Sequence, residues 1–173
     1  MPVARFCSAC GAKLPSRPPV TCASCGTEHW RNAKPCANAI VSRADGRILL
    51  TRRAHAPWRG LWCAPGGFCG HDEDPRETVV RETFEETGAR VRVGEILGIW
   101  VQAYADDPAK DEAEWISVAY YAADALSEVG EPDPAEVAEQ RWFAPDDLPA
   151  ELAPPQSLRE AIETWEARRA ATR

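Results

Sequence analysis

The sequence has no run of about 18 apolar residues, the length a helix needs to cross a bilayer, so no membrane span is expected. Residues 1–10 lack the apolar stretch of a secretory signal, and a cytoplasmic location is the resulting expectation. A basic surplus is missing too: 20 Lys and Arg stand against 27 Asp and Glu, a net of -7. Non-specific polyanion binders gain affinity by neutralising phosphates, so a nucleic-acid partner is not expected. Surplus acid suits a protein that gathers divalent cations, and it also serves solubility alone. The imbalance is uneven. Residues 1–35 hold Arg5, Lys13, Arg17, Arg31 and Lys34 against Glu28, a net of +4, which leaves -11 for the remainder. What is present, 173 residues with 45% hydrophobic and 27% charged, fits one globular domain with a small appendage.

A disulfide framework is not expected either, because the cysteines number seven and nothing points to secretion. Cys36, Cys63 and Cys69 stand alone. Cys7-Ser-Ala-Cys10-Gly11 and Cys22-Ala-Ser-Cys25-Gly26 are two copies of one unit. The glycine after each second cysteine permits a tight turn that points both thiolates at one metal. Four thiolates make a closed tetrahedral zinc site, structural because no position is left open for water. A single Cys-x-x-Cys pair would fit a redox dithiol equally well; two pairs argue for zinc. Pro15, Pro18 and Pro19 suit a compact loop between them. Such a ribbon can bind nucleic acid, bind protein, or staple a segment too small to fold alone. Few basic residues and little aromatic interleaving favour the staple, and residues 1–35 form its expected domain.

Beyond it, Cys36–Arg43 and Arg47–Arg53 read as strands joined by the Asp-Gly turn Ala44-Asp45-Gly46. Ala56–His71 reads as an ordered loop rich in Gly, Pro and Trp. Pro75–Thr87 has no internal breaker and is followed by Gly88, which predicts a helix. Val91–Tyr104 and Trp115–Ala122 are expected strands separated by the charged loop Asp106–Glu114. Glu128–Ala135 reads as an acidic, Pro-containing loop, Arg141–Ala144 as a short strand and Ser157–Arg169 as a terminal helix. Strands interspersed with helices point to an α/β fold in which helices sandwich a mixed sheet.

The helix carries the informative stretch, Arg81-Glu82-Thr83-Phe84-Glu85-Glu86-Thr87-Gly88. Glu82, Glu85 and Glu86 are spaced to share one face. Like charges at these spacings cost a bare helix a few tenths of a kcal/mol each, roughly, and a hard divalent cation reverses that cost. Alone, the cluster fits a solvated acidic face as well as a metal site. Gly67, Glu73, Arg81, Glu82, Glu85, Glu86 and Gly88, however, match the box G-x5-E-x7-R-E-U-x-E-E-x-G-U of the Nudix hydrolases, where U is bulky and apolar. Thr83 and Ala89 depart from U, which concerns packing rather than chemistry. Gly60-Leu61-Trp62-Cys63-Ala64-Pro65-Gly66-Gly67 resembles the approach to that box. Glu139-Gln140-Arg141-Trp142-Phe143 with Asp147-Leu148-Pro149 resembles the closing strand and turn, so the likeness covers about residues 36–150. Trp30-Arg31-Asn32-Ala33-Lys34-Pro35 resembles the members with an N-terminal zinc ribbon, some of which act on FAD and ADP-ribose.

The resemblance implies an α/β/α sandwich over residues 36–173 and magnesium- or manganese-dependent cleavage of a pyrophosphate bond. Glu82 and Glu86 become the principal metal ligands, with Glu85 ligating or orienting water and the Gly66 carbonyl as a further ligand. Arg81 is expected to pair with Glu73 and fix the loop. The general base is Glu82, Glu136 or Glu139. Arg52, Arg53 and Arg59, upstream of the metal loop, fit a grip on phosphates and plain surface charge equally well. Trp30, Trp58, Trp62, Trp100 and Trp115 include candidates for stacking on a base or flavin, Trp62 foremost, while most of them are expected in the core. His55 is as readily a loop residue as a ligand. The Ser-Gln-Pro-Trp-Pro-Phe-Pro array of NADH pyrophosphatases is missing; Gly98–Asp107 stands there instead, with Tyr104 where many ADP-ribose enzymes have proline. On the strength of the zinc ribbon, ADP-ribose or an FAD-like dinucleotide ranks first, ahead of diadenosine polyphosphates, NADH and nucleoside triphosphates. A nucleotide sensor without turnover and an RNA-end processing enzyme are the readings from other classes, and members of the family often form homodimers.

Overall fold

A computed structural model describes residues 4–107 and 113–171. The middle of the predicted charged loop Asp106–Glu114 lies outside the described residues. Near the N-terminus, β1 (Val20–Thr21) pairs antiparallel with β2 (Glu28–His29). The two cysteine units flanking β1 fold alike. Gly11 N–H donates to the Cys7 carbonyl and Gly26 N–H to that of Cys22, both at 2.9 Å. Gly11 and Gly26 have φ of 74° and 75°, the left-handed backbone the turn demands.

The remainder is built on β3 (Lys34–Ser42), β4 (Ile48–Arg53), β5 (Trp62–Cys63), β6 (Gly66–Phe68), β7 (Val91–Tyr104), β8 (Glu114–Ala125) and β9 (Val137–Phe143). Helices α1 (Pro75–Thr87) and α2 (Pro155–Ala171) complete it. The sheet runs β5-β4-β3-β8-β7, with β6 on β3 and β9 on β4. It is mixed, because β3 and β8 run parallel while the other pairs are antiparallel. Alternation along β3 and β8 sorts side chains to two layers. Ile40, Val118 and Tyr120 meet Leu158, Ile162 and Trp165 of α2 on one face. Val41, Ala119 and Tyr121 form the other cluster with Val79 of α1. The sandwich expected from the sequence is present. No helix among the described residues is long and apolar enough to cross a membrane.

Helix α1 and strand β7 occupy the predicted spans. The predicted loop Ala56–His71 instead contains β5 and β6, too short for any periodicity to reveal. The last strand begins at Val137 rather than Arg141, because pairing with β4 outweighs the polar run Glu139-Gln140-Arg141. The Asp-Gly turn joins β3 to β4 as expected, with Gly46 at φ 89°. Register between the two strands is seen only at Ser42 and Ile48, beside that turn. Further on, β6 pairs with Cys36–Asn38 of β3, while β5 pairs with Thr51 and Arg52 of β4. The divergence of β3 from β4 opens the wedge in which the site lies.

Candidate active site

Helix α1 is defined at both ends by its own sequence. Asp74 caps the N-terminus in a reciprocal capping box with Glu77, and Pro75 starts the first turn. Gly88 closes it at φ 69°. A Cβ on Gly88 would stand 2.8 Å from the Gly130 Cα, so glycine also admits the later loop. Gly130 N–H donates to the Thr87 carbonyl at 2.8 Å, and Ala54 N–H to the Glu136 carbonyl at 2.9 Å. These bonds fasten the 126–136 loop to the helix end and to β4, which delivers Glu136.

Carboxylate oxygens of Glu82, Glu86 and Glu136 all lie within 4.8 Å of one another. Glu86 is only 8% exposed and accepts from Gly66 N–H at 3.2 Å. Burial pushes its carboxyl up to about 8, and raises that of Glu82 as well. The loop presses close: a Cβ on Gly67 would stand 2.5 Å from the Glu82 carboxyl carbon, and one on Gly66 only 2.3 Å from the Ala37 carbonyl oxygen. Three clustered oxygen donors, with the Glu86 carboxyl buried and that of Glu82 half-buried, suit a hard divalent cation. Octahedral ligands at about 2.1 Å are themselves some 3 to 4 Å apart.

The expected face of three helix glutamates is corrected in one member. At 100° per residue, Glu86 lies about 40° to one side of Glu82 and Glu85 about 60° to the other. Glu85 accordingly turns to Arg81, at 3.0 Å, and stays exposed, while Glu136 takes the third place. Arg81 grips Glu73 with two bonds of 2.7 and 2.8 Å and donates to Glu82 at 2.7 Å. The guanidinium holds the Glu73 carboxyl down to about 2. Glu139 lies apart, paired with Arg141 at 2.6 Å and Arg52 at 3.7 Å.

A cavity of about 250 Å³ opens beside the glutamates. Arg53 lines it, donating to the Pro57 carbonyl at 2.7 Å and the Tyr104 hydroxyl at 3.0 Å. Consecutive strand residues leave opposite faces; Arg52 is turned away and donates to the Gly60 carbonyl. Trp62 corrects the stacking expectation. It is 6% exposed, packed edge-on to Phe143 at 4.9 Å between centroids, and only its neighbour Cys63 faces the cavity. The aromatic wall is Tyr104, with Trp58 and Phe68 edge-on to it at 5.2 and 5.4 Å. Trp58 holds φ 63°, rare for a bulky residue, with its N–H on Asp106. His55 also lines the cavity. Sequence reasoning missed Asn38, Phe68, Gln102 and Tyr120. The glycines of β7, Gly94 and Gly98, were the available sign of the bulges that orient Gln102 and Tyr104.

In the N-terminal knuckle the Sγ atoms of Cys7, Cys10, Cys22 and Cys25 also cluster. Cys7 and Cys25 are 3.6 Å apart, and Cys10 and Cys22 3.7 Å. Zinc–sulfur bonds of about 2.3 Å give tetrahedral edges near 3.8 Å, so the thiolates fit zinc and are too far apart for disulfides. His29 Nε2 lies 3.2 Å from the Cys7 sulfur.

Comparison with known proteins identifies the family and the fold. The NUDIX domain family model matches residues 33–163. The NAD-capped RNA hydrolase NudC of Stutzerimonas stutzeri is 27% identical over 168 residues, covering 95% of this chain but 57% of that protein. The chain thus spans little more than half the length of this relative. An ADP-ribose pyrophosphatase of Methanocaldococcus jannaschii is 40% identical over 60 residues, covering 35% of this chain and 36% of that protein. Among solved structures, a NUDIX hydrolase from Nitrosomonas europaea has a TM-score of 0.78 at 26% identity, covering 97% of this chain and 93% of its own.

Proposed function

The chain belongs to the NUDIX family, and from that premise we propose that it hydrolyses the pyrophosphate bond of a nucleoside diphosphate derivative, ADP-ribose or an FAD-like dinucleotide, releasing AMP. The observation that carries this reading is the cluster of Glu82, Glu86 and Glu136 at the mouth of an aromatic-walled cavity that also holds Arg53. Glu82 and Glu86, with the Gly66 carbonyl, are assigned to hold magnesium or manganese. When bound, the ion neutralises the diphosphate and makes a water more acidic. Arg53 adds positive charge to the phosphates from a fixed position. Glu136, reached from a loop and exposed, is assigned as the base that takes the proton of the attacking water at its carboxylate oxygen. Arg81 positions the metal loop through Glu73, and Glu85 in turn positions Arg81. The knuckle, residues 1–35, is assigned as a zinc-stapled appendage.

A second reading, NADH or an NAD-capped RNA end, is favoured by the likeness to NudC, which extends through the knuckle. It stands against the expectation that nucleic acid is not a partner. Purified protein with magnesium is to be offered ADP-ribose, FAD, NADH, diadenosine polyphosphates, nucleoside triphosphates and NAD-capped RNA, with products identified by mass. AMP with ribose 5-phosphate or FMN supports the first reading. Cleavage confined to NADH or capped RNA replaces it with the second, and turnover of none of them removes both.

A further inference from the structure

The cavity is polar at a depth where the proposed chemistry has no use for polarity. Tyr120 of β8 is fully buried, with its ring edge-on to Trp100 at 5.5 Å, yet it lines the cavity. Its hydroxyl makes no well-formed hydrogen bond among the described residues, and the Ser157 hydroxyl, itself otherwise unpaired, is the one group beside it that can engage it. The buried amide nitrogen of Gln102, on the neighbouring strand, is likewise unpaired and lines the same cavity. Leaving such groups unsatisfied costs a fold more than an apolar side chain of the same shape would. Phenylalanine and methionine would fill these positions without that cost. An unpaired Gln102 amide and a Tyr120 hydroxyl with only Ser157 beside it, on two residues that line one cavity, therefore point to a ligand that completes them.

We propose that Tyr120 and Gln102 form a floor that reads the polar edge of the substrate's nucleobase. The base enters beside Tyr104, Phe68 and Trp58, and the diphosphate stays at the glutamates. The walls suit a flat ring, since aromatic faces and edges pack against one another. The floor supplies an amide donor and a hydroxyl that can donate or accept, matching the ring nitrogens and exocyclic groups of a base. Size agrees with this division. Pockets for whole drug-sized ligands run from about 300 Å³ upward, so about 250 Å³ takes one base and leaves the rest of a dinucleotide outside. The inference rests on the reading of the substrate as a nucleotide derivative and adds which part of it is recognised, and by what.

Binding separates this inference from the hydrolase reading. Calorimetric titration with AMP and with ribose 5-phosphate, neither of which has a pyrophosphate bond to cleave, is to be made on wild type, Tyr120→Phe and Gln102→Met. Wild type is expected to prefer AMP. Each variant should lose about tenfold of its AMP affinity, the worth of one good hydrogen bond, and keep its affinity for ribose 5-phosphate. Thermal midpoints of the ligand-free variants should hold or rise, because an unpaired buried group has been removed. A fall in midpoint with AMP preference intact would make Tyr120 structural and overturn the proposal, as would equal wild-type affinity for the two ligands. If AMP is preferred through Tyr120 but nothing is hydrolysed, the inference stands and the hydrolase reading falls.

Discussion

The knuckle and the cavity each gather ionisable side chains in a cluster that could hold a cation, by opposite routes. The knuckle closes four sulfurs around a point, using residues from two copies of one short turn. Every donor is local: each turn is set by a glycine at φ near 75°, and the pairs are joined by a short proline-containing loop. The cavity gathers oxygens from a helix and a distant loop, and leaves one side open to Arg53 and the aromatic wall. Soft donors in a closed tetrahedron exclude water and give stability, whereas hard donors at an open mouth admit a substrate and water. The difference teaches that chemistry follows from what a ligand set leaves uncovered as much as from the ligands themselves.

The comparison predicts separable effects. Glu86→Gln should lower kcat on the order of 10²- to 10³-fold, as loss of a central charge-stabilising group does, while the metal-free protein keeps or raises its thermal midpoint because an amide replaces a carboxyl whose ionised form burial disfavours. Steady-state kinetics and calorimetry on one sample check both, and retained turnover would sink the assigned metal site. Glu136→Gln should lower kcat about 10²-fold as a lost general base, while Glu139→Gln stays within about twofold because its pairing with Arg52 and Arg141 is exposed. Similar losses in the two would erase the distinction drawn from their positions.

On the knuckle side, Cys22→Ser should abolish stoichiometric zinc and lower the thermal midpoint by roughly 5–10 °C, a few kcal/mol in a chain of this size. Turnover at 25 °C should change little; a loss as deep as that of Glu86→Gln would show that the two sites are not independent. The smallest effect concerns Glu73. Its carboxyl is held to about 2 against an ordinary 4.5, so its contribution to stability is complete above pH 4.5 and is lost as pH falls towards 2. Glu73→Gln should flatten that acid limb in thermal melts across the interval, and identical limbs would count against the Arg81 pair as its source.

Legibility in the sequence followed locality. Helix α1 was readable to its ends because its cap, its starting proline and its closing glycine all lie within or beside it. The knuckle turns and the turn at Gly46 were readable for the same reason. Glu136 could only be placed among candidates, since its arrival depends on the contact between Gly88 and Gly130. Trp62 was misplaced because its strand is two residues long, and no pattern that short fixes which face a side chain takes. The facing of β7 was hidden by its irregular register between Val93 and Gly98. Val91 and Val93 pack on the α1 side, whereas Leu97 and Trp100 pack on the other. Each register shift can exchange the faces, and with them the side that Gln102 and Tyr104 take.

By itself, then, the sequence determined the α1 glutamate pair, the two cysteine turns and the layered α/β class, because each is encoded by spacings of a few residues. Tertiary structure decided the third carboxylate, the aromatic wall and the polar floor beneath it. Those depend on where β3 parts from β4 and on which face a bulged strand presents, and both are settled only when distant segments pair.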